Sequence, residues 1–129
     1  MTYLGIDFGL AVVGLSLASG PLAEPLGQKR YQSETKLLKF LAQVINDHQV
    51  STIVLGLPEG SLAPKVKTFS KKLEAVTGLP VIFEDETLTS KEAVQKLLQA
   101  MAPVKKRRLD HQAAATLILQ QYLDQPTKA

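Results

Sequence analysis

The sequence contains no cysteine, and aromatic residues make up only 5% of its 129 positions. Without cysteine there is no disulfide framework and no thiolate metal site, and a reducing compartment suits the chain. With few aromatics, and none interleaved with basic residues, no platform for stacking bases is indicated. No apolar run approaches the roughly 20 residues that a membrane-spanning helix needs. Met1 leads directly into an apparent strand, without the basic and apolar segments of an export signal, so a cytoplasmic protein with no membrane partner is expected. Internal repeats, linkers and low-complexity stretches are also missing.

What is present is ordinary for one globular domain: 45% hydrophobic and 21% charged residues, with a net charge of +3. A chain of this length can build a self-sufficient core. The expected organisation is a single domain over residues 1–124, followed by a short polar tail at 125–129. The mild positive charge permits a polyanionic partner without demanding one. Its distribution says more. Lys65, Lys67, Lys71 and Lys72 fall close together, and Lys105-Lys106-Arg107-Arg108 is an unbroken basic block. Solvated surface explains the first group equally well; the second is the candidate nucleic-acid contact.

Along the chain, Leu4, Ile6 and Phe8 alternate with Tyr3, Gly5 and Asp7, the period of a strand. Gly9 allows a tight turn into a second strand, Val12 to Ala18, giving an antiparallel hairpin. Gly20, Pro21, Pro25 and Gly27 mark residues 19–27 as a loop, with a short third strand around Gln28 to Tyr31. Ser33 is a candidate N-cap for a helix carrying Leu37, Leu38, Leu41, Val44 and Ile45 to about His48. The apolar run Thr52 to Leu57 reads as a strand buried on both faces. Val66, Phe69, Leu73 and Val76 mark a second helix, stopped by Gly78 and Pro80. Val81 to Phe83 is a short strand, Thr89 opens a third helix ended by Pro103, and Leu109 to Leu123 forms a last one. The fold class is α/β: a mixed sheet, antiparallel at the start and parallel afterwards, with helices on both faces.

Three acids stand at element ends. Asp7 closes the first strand, Asp85-Glu86 close the last, and Asp110 begins the final helix. Ligands gather beyond the carboxyl ends of parallel strands in such sheets. Carboxylates brought together there repel one another unless a cation compensates, and hard oxygen donors suit Mg²⁺ or Mn²⁺. Such ions promote phosphodiester hydrolysis. Each acid has a plainer role as well. Asp7 can satisfy donors in the hairpin turn, Glu86 can be exposed loop charge, and Asp110 can be stabilised by the helix N-terminus alone. For His111 an ordinary first-turn role is expected.

Four segments in register, Gly5-Ile6-Asp7-Phe8-Gly9 with Gly14, Val54 to Pro58, Phe83 to Ser90, and Asp110 to Ala115, resemble the YqgF/RuvX family of Holliday-junction resolvases and pre-16S ribosomal RNA processing nucleases. The resemblance covers roughly residues 3–123. It implies a ribonuclease H-like fold and a metal-dependent endonuclease. Asp7, Glu86 and Asp110 would be both catalytic and metal-binding, Asp85 a neighbour only, and branched DNA or precursor rRNA the substrate. Symmetric junction cleavage needs two active sites and hence a homodimer. The sequence departs from the family pattern after Gly9, where Leu10-Ala11-Val12-Val13 replaces Thr and basic residues, and at Thr87, where the family has Arg. Two other readings remain open: a nucleic-acid-binding scaffold without catalysis, and a nucleotide-phosphate binder of the actin-like kind. The latter needs two such domains and usually a Thr or Ser where this chain has Leu10.

Overall fold

The alternating residues near the start of the chain form the centre of a five-stranded sheet. In the computed structural model, which describes residues 1–85 and 111–125, β1 is Tyr3–Phe8, β2 is Val12–Ala18 and β3 is Glu24–Arg30. There follow α1 (Glu34–His48), β4 (Thr52–Leu57), a 3-10 turn at Gly60–Leu62, α2 (Ala63–Thr77) and β5 (Val81–Asp85). The last helix among the described residues is α3 (His111–Asp124). The strand order is β3-β2-β1-β4-β5. The first three strands are antiparallel neighbours, while β1, β4 and β5 run parallel. This is the expected mixed sheet.

Alternation decides which side chains meet which layer. Leu4, Ile6 and Phe8 join Val13, Leu15, Ile53 and Leu55 against α1 and α2, which contribute Leu37, Leu41, Val44, Val66, Phe69 and Leu73. Phe8 and Phe69 stack with ring centroids 4.5 Å apart. Each such side chain, fully buried, contributes roughly 1.5–3 kcal/mol. The opposite face holds α3, whose Ile118 and Leu119 pack on Ala18 and Val54. Small residues let this helix come close. A Cβ on Gly5 would lie 2.8 Å from the Leu119 Cβ, and Ser16 Oγ donates to the Ala115 carbonyl at 2.8 Å.

Several boundaries differ from expectation. Strand β3 begins at Glu24, inside the segment read as a loop. Proline is tolerated because β3 is an edge strand, and a register shift between Leu15 and Ser16 absorbs the irregularity around Pro25 and Gly27. Val76 is 53% exposed rather than part of the buried stripe of α2, where Ser70 stands instead. At 3.6 residues per turn, Val76 lies about 80° round the helix from Val66, beyond Phe69 at the stripe's margin. Strand β5 extends to Asp85.

Helix α3 runs to Asp124, and Gln125 Nε2 donates to both carboxylate oxygens of Glu84 at 2.8 Å. The third helix expected from Thr89, the first two residues of the last one (Leu109 and Asp110), and residues 126–129 lie outside the described residues. No described helix is long and apolar enough to cross a membrane.

Candidate active site

Asp7 occupies the carboxyl end of β1. Strand alternation turns it away from the α1–α2 core and towards α3, where it is 8% exposed. Its carboxylate Oδ2 meets His111 Nδ1 at 2.7 Å. An ionised carboxylate can only accept, so the imidazole donates from Nδ1 and leaves Nε2 for another partner. The His111 side chain keeps 43% of its surface exposed and that of Asp7 11%. The pair therefore sits at an opening rather than in the sealed core.

Three features seat His111. Gly14, the β2 residue paired with Asp7, runs beneath the first turn of α3; a Cβ there would overlap the His111 carbonyl group. Gln28, paired with Gly14 from β3, caps the helix, its Oε1 accepting from the backbone amides of His111 at 3.0 Å and Gln112 at 3.3 Å. Orphan amides of a helix N-terminus need such an acceptor. The same helix end carries partial positive charge, which favours the Asp7 anion beside it. Gly9 borders the ring on its other side, where a Cβ would lie 3.2 Å from His111 Cε1.

Tyr31 fixes the β1–β2 turn that follows Asp7. Its amide donates to the Ala11 carbonyl at 3.0 Å, and its hydroxyl donates to the Gly9 carbonyl at 2.5 Å. Burial, followed by the nearby Glu34 charge, raises the Tyr31 pKa above the ordinary phenol value, so the hydroxyl keeps its donor proton. The tip of this turn is Leu10, 65% exposed.

A second buried acid lies on the same face of the sheet. Glu84 pairs in register with Gly56 and is 4% exposed, held by Gln125. Its charge, after burial and Tyr3, contributes to raising the Tyr122 pKa. Because β1, β4 and β5 are parallel, the chain leaves β5 at Asp85 on the same sheet edge where Asp7 stands.

Of the residues singled out in the sequence, Asp7 falls at this edge, while Glu86, Asp110 and Lys105, Lys106, Arg107 and Arg108 lie outside the described residues. Among the described residues no three His, Cys, Asp or Glu side chains cluster as a metal cage. The site also contains what pattern reading passes over. His111 has a direct role against Asp7, and Gln28 and Tyr31 hold the two backbones between which that pair lies. The only hint of His111 in the sequence is its position after Asp110.

A mixed sheet that opens with an antiparallel hairpin, continues in parallel, and carries an acid at the end of its first strand has the ribonuclease H-like arrangement. Accordingly the chain is similar to Thermus thermophilus RuvC in complex with a Holliday junction substrate, with a TM-score of 0.64 and 18% identity over 92% of this chain and 91% of that one. It is also similar to the fowlpox virus Holliday junction resolvase, with a TM-score of 0.60 and 14% identity over 96% and 99% of the two chains. These likenesses establish the fold. The family follows from sequence: residues 1–125 match the RuvX family, described as Holliday junction resolvase, and the chain belongs to it. Relatives named "Putative pre-16S rRNA nuclease" include those of Dictyoglomus thermophilum, 39% identical over 96% of both chains, and Syntrophus aciditrophicus, 38% identical over 96% of this chain and 89% of the relative.

Proposed function

We propose that the protein is a metal-dependent endonuclease that hydrolyses phosphodiester bonds in branched DNA or precursor rRNA, with Asp7, Glu86 and Asp110 as its acidic residues. The observation that carries this reading is the 2.7 Å contact between Asp7 and His111. It joins the end of β1 to the start of α3, and Asp110 directly precedes His111 in the sequence. Glu86 directly follows Asp85 at the matching edge of β5. Family membership and the relatives' names support the same reading.

The donor chemistry fits Mg²⁺ or Mn²⁺. Asp7 offers a carboxylate at an opening, with Oδ2 held by His111 and the Oδ1 side accepting no hydrogen bond among the described residues. Glu86 and Asp110 would supply further oxygens, the donor type hard cations prefer. When bound, such an ion supplies Lewis-acid stabilisation of the charge that develops at the phosphodiester. The chain's own contribution is positional. His111 fixes the rotamer of Asp7, Gln28 and Gly14 fix His111, and Tyr31 holds the adjoining turn. The basic run Lys105 to Arg108, close before Asp110 in sequence, would hold substrate phosphates.

A cleavage panel tests the reading, using a four-way junction, duplex DNA and structured precursor RNA in Mg²⁺ and in Mn²⁺. Wild-type protein is expected to cut at least one substrate, and Asp7→Asn and Glu86→Gln to lose about two orders of magnitude or more in rate. Undiminished metal-dependent cutting by both variants overturns the assignment. Salt-sensitive binding without cleavage in either metal would instead establish the scaffold alternative.

A further inference from the structure

We infer that the cleft between the edge strand β3 and the start of α1 is a separate contact for the phosphodiester backbone of DNA or RNA, apart from Asp7. The inference rests on the nucleic-acid reading above and adds a location to it. The cleft has a volume of about 670 Å³, and its charged lining is Lys29, Arg30 and Lys36, with no carboxylate among the lining residues. None of the three cations is in an ion pair among the described residues. The one acid at the start of α1, Glu34, is ion-paired with Lys72 at 2.7 Å.

Two details separate this cleft from an ordinary solvated patch. Lys29 Nζ lies over the Phe40 ring, 4.9 Å from its centroid. That contact holds the ammonium against the wall instead of leaving it to sweep through solvent. The cleft is also tied to the candidate active site. Tyr31, which lines it, bonds to the Gly9 and Ala11 carbonyls of the turn after Asp7. Arg30 pairs with Val12 at the base of that turn.

The register gives the separation. Asp7 pairs with Gly14 and Gly14 with Gln28, and Arg30 is two residues further along β3. Two strand spacings of about 4.8 Å and a two-residue rise of about 6.8 Å place the Arg30 backbone roughly 12 Å from Asp7. That is three to four nucleotides of duplex rise at about 3.4 Å each. Asp7 faces α3 and the cleft opens on the α1 side, so a strand cut at Asp7 would reach the cleft by passing around the β1–β2 turn that Tyr31 holds. Leu10 and Thr87 stand where the family pattern has Thr, basic residues and Arg, and this cleft supplies cations from a different element.

The test is equilibrium binding in EDTA, so that it does not depend on cleavage. Fluorescence anisotropy is measured for labelled duplex DNA, single-stranded DNA and structured RNA over a series of salt concentrations. Wild-type full-length protein is compared with the triple variant Lys29→Gln, Arg30→Gln, Lys36→Gln, and with the control Lys39→Gln, Lys67→Gln, Lys71→Gln on exposed helix faces. The cleft variant is expected to bind duplex at least tenfold more weakly, with a log–log salt slope shallower by about 2 to 3, roughly 0.9 per lost phosphate contact. The control should change the slope by less than about 1.

The single variant Arg30→Gln, expected to shift the slope by about 1, serves if the triple variant does not fold. Whether DNA or RNA loses more affinity identifies the backbone the cleft favours. An unchanged slope in the cleft variant, or equal changes in both triple variants, overturns the inference while leaving the nuclease reading intact. If no probe binds wild-type protein, the inference is overturned, and the nuclease reading stands or falls on the cleavage panel.

Discussion

Gly14 lies so close beneath His111 that a single methyl at its Cα would overlap the His111 carbonyl group. The obstacle is backbone, held from the far side by the Gln28 cap, so it cannot swing away as a side-chain tip would.

Gly14→Ala is therefore expected to lower stability by about 3 kcal/mol, the upper end of typical overpacking costs, and to displace His111 from Asp7. Urea unfolding measures the first effect and cleavage rate the second. Gly20→Ala is the control: nothing lies within 4 Å of the point its methyl would occupy, and a change within about 0.5 kcal/mol is expected. Equal losses in the two variants would show that close packing under α3 is not the cause.

The Asp7–His111 contact joins residues far apart in sequence, so it should appear as a coupling energy. In a double-mutant cycle of Asp7→Ala and His111→Ala, unfolding free energies are expected to be non-additive by about 1 kcal/mol, the usual net worth of one hydrogen bond. Additivity would mean that the contact does not persist in solution.

Tyr31→Phe removes the hydroxyl that donates to Gly9, at an expected cost of about 0.5–1.5 kcal/mol near neutral pH. The pH dependence has a definite sign. The Tyr31 pKa is raised in the folded protein from an ordinary value of 10.0, so the native state binds the phenolic proton more tightly than the unfolded chain. The associated stability is whole below about pH 10 and is lost as pH rises through the raised folded value. Unfolding at pH 9 and pH 11 should show a smaller alkaline decline in Tyr31→Phe than in wild type. An identical decline in both proteins would contradict the assignment.

The sequence exposes the elements whose burial is periodic. Helix α1, strands β1 and β2, and the apolar β4 are legible because one stripe, one face or two faces are covered by other layers. Strand β3 is legible only at its end, from Gln28, since Glu24, Leu26, Lys29 and Arg30 are all exposed and an edge strand with Pro25 and Gly27 carries no alternating pattern. Asp7 is legible as a strand-end acid, but its partner is not. The His111 contact spans 104 residues and the Gln28 cap 83, and no local spacing encodes contacts made only when α3 docks on the sheet. Family resemblance marks Asp110 and leaves His111 beside it as an ordinary helix residue.

Helix α3 carries a contact at each end, His111 on Asp7 and, one residue past its last turn, Gln125 on Glu84. It thereby acts as a gauge bar between two carboxylates of the sheet. An α-helix advances about 1.5 Å and turns about 100° with each residue, so one inserted or deleted position would leave one contact in phase and swing the other to the wrong side. A change of length inside the helix would therefore cost the protein one of its two carboxylate contacts.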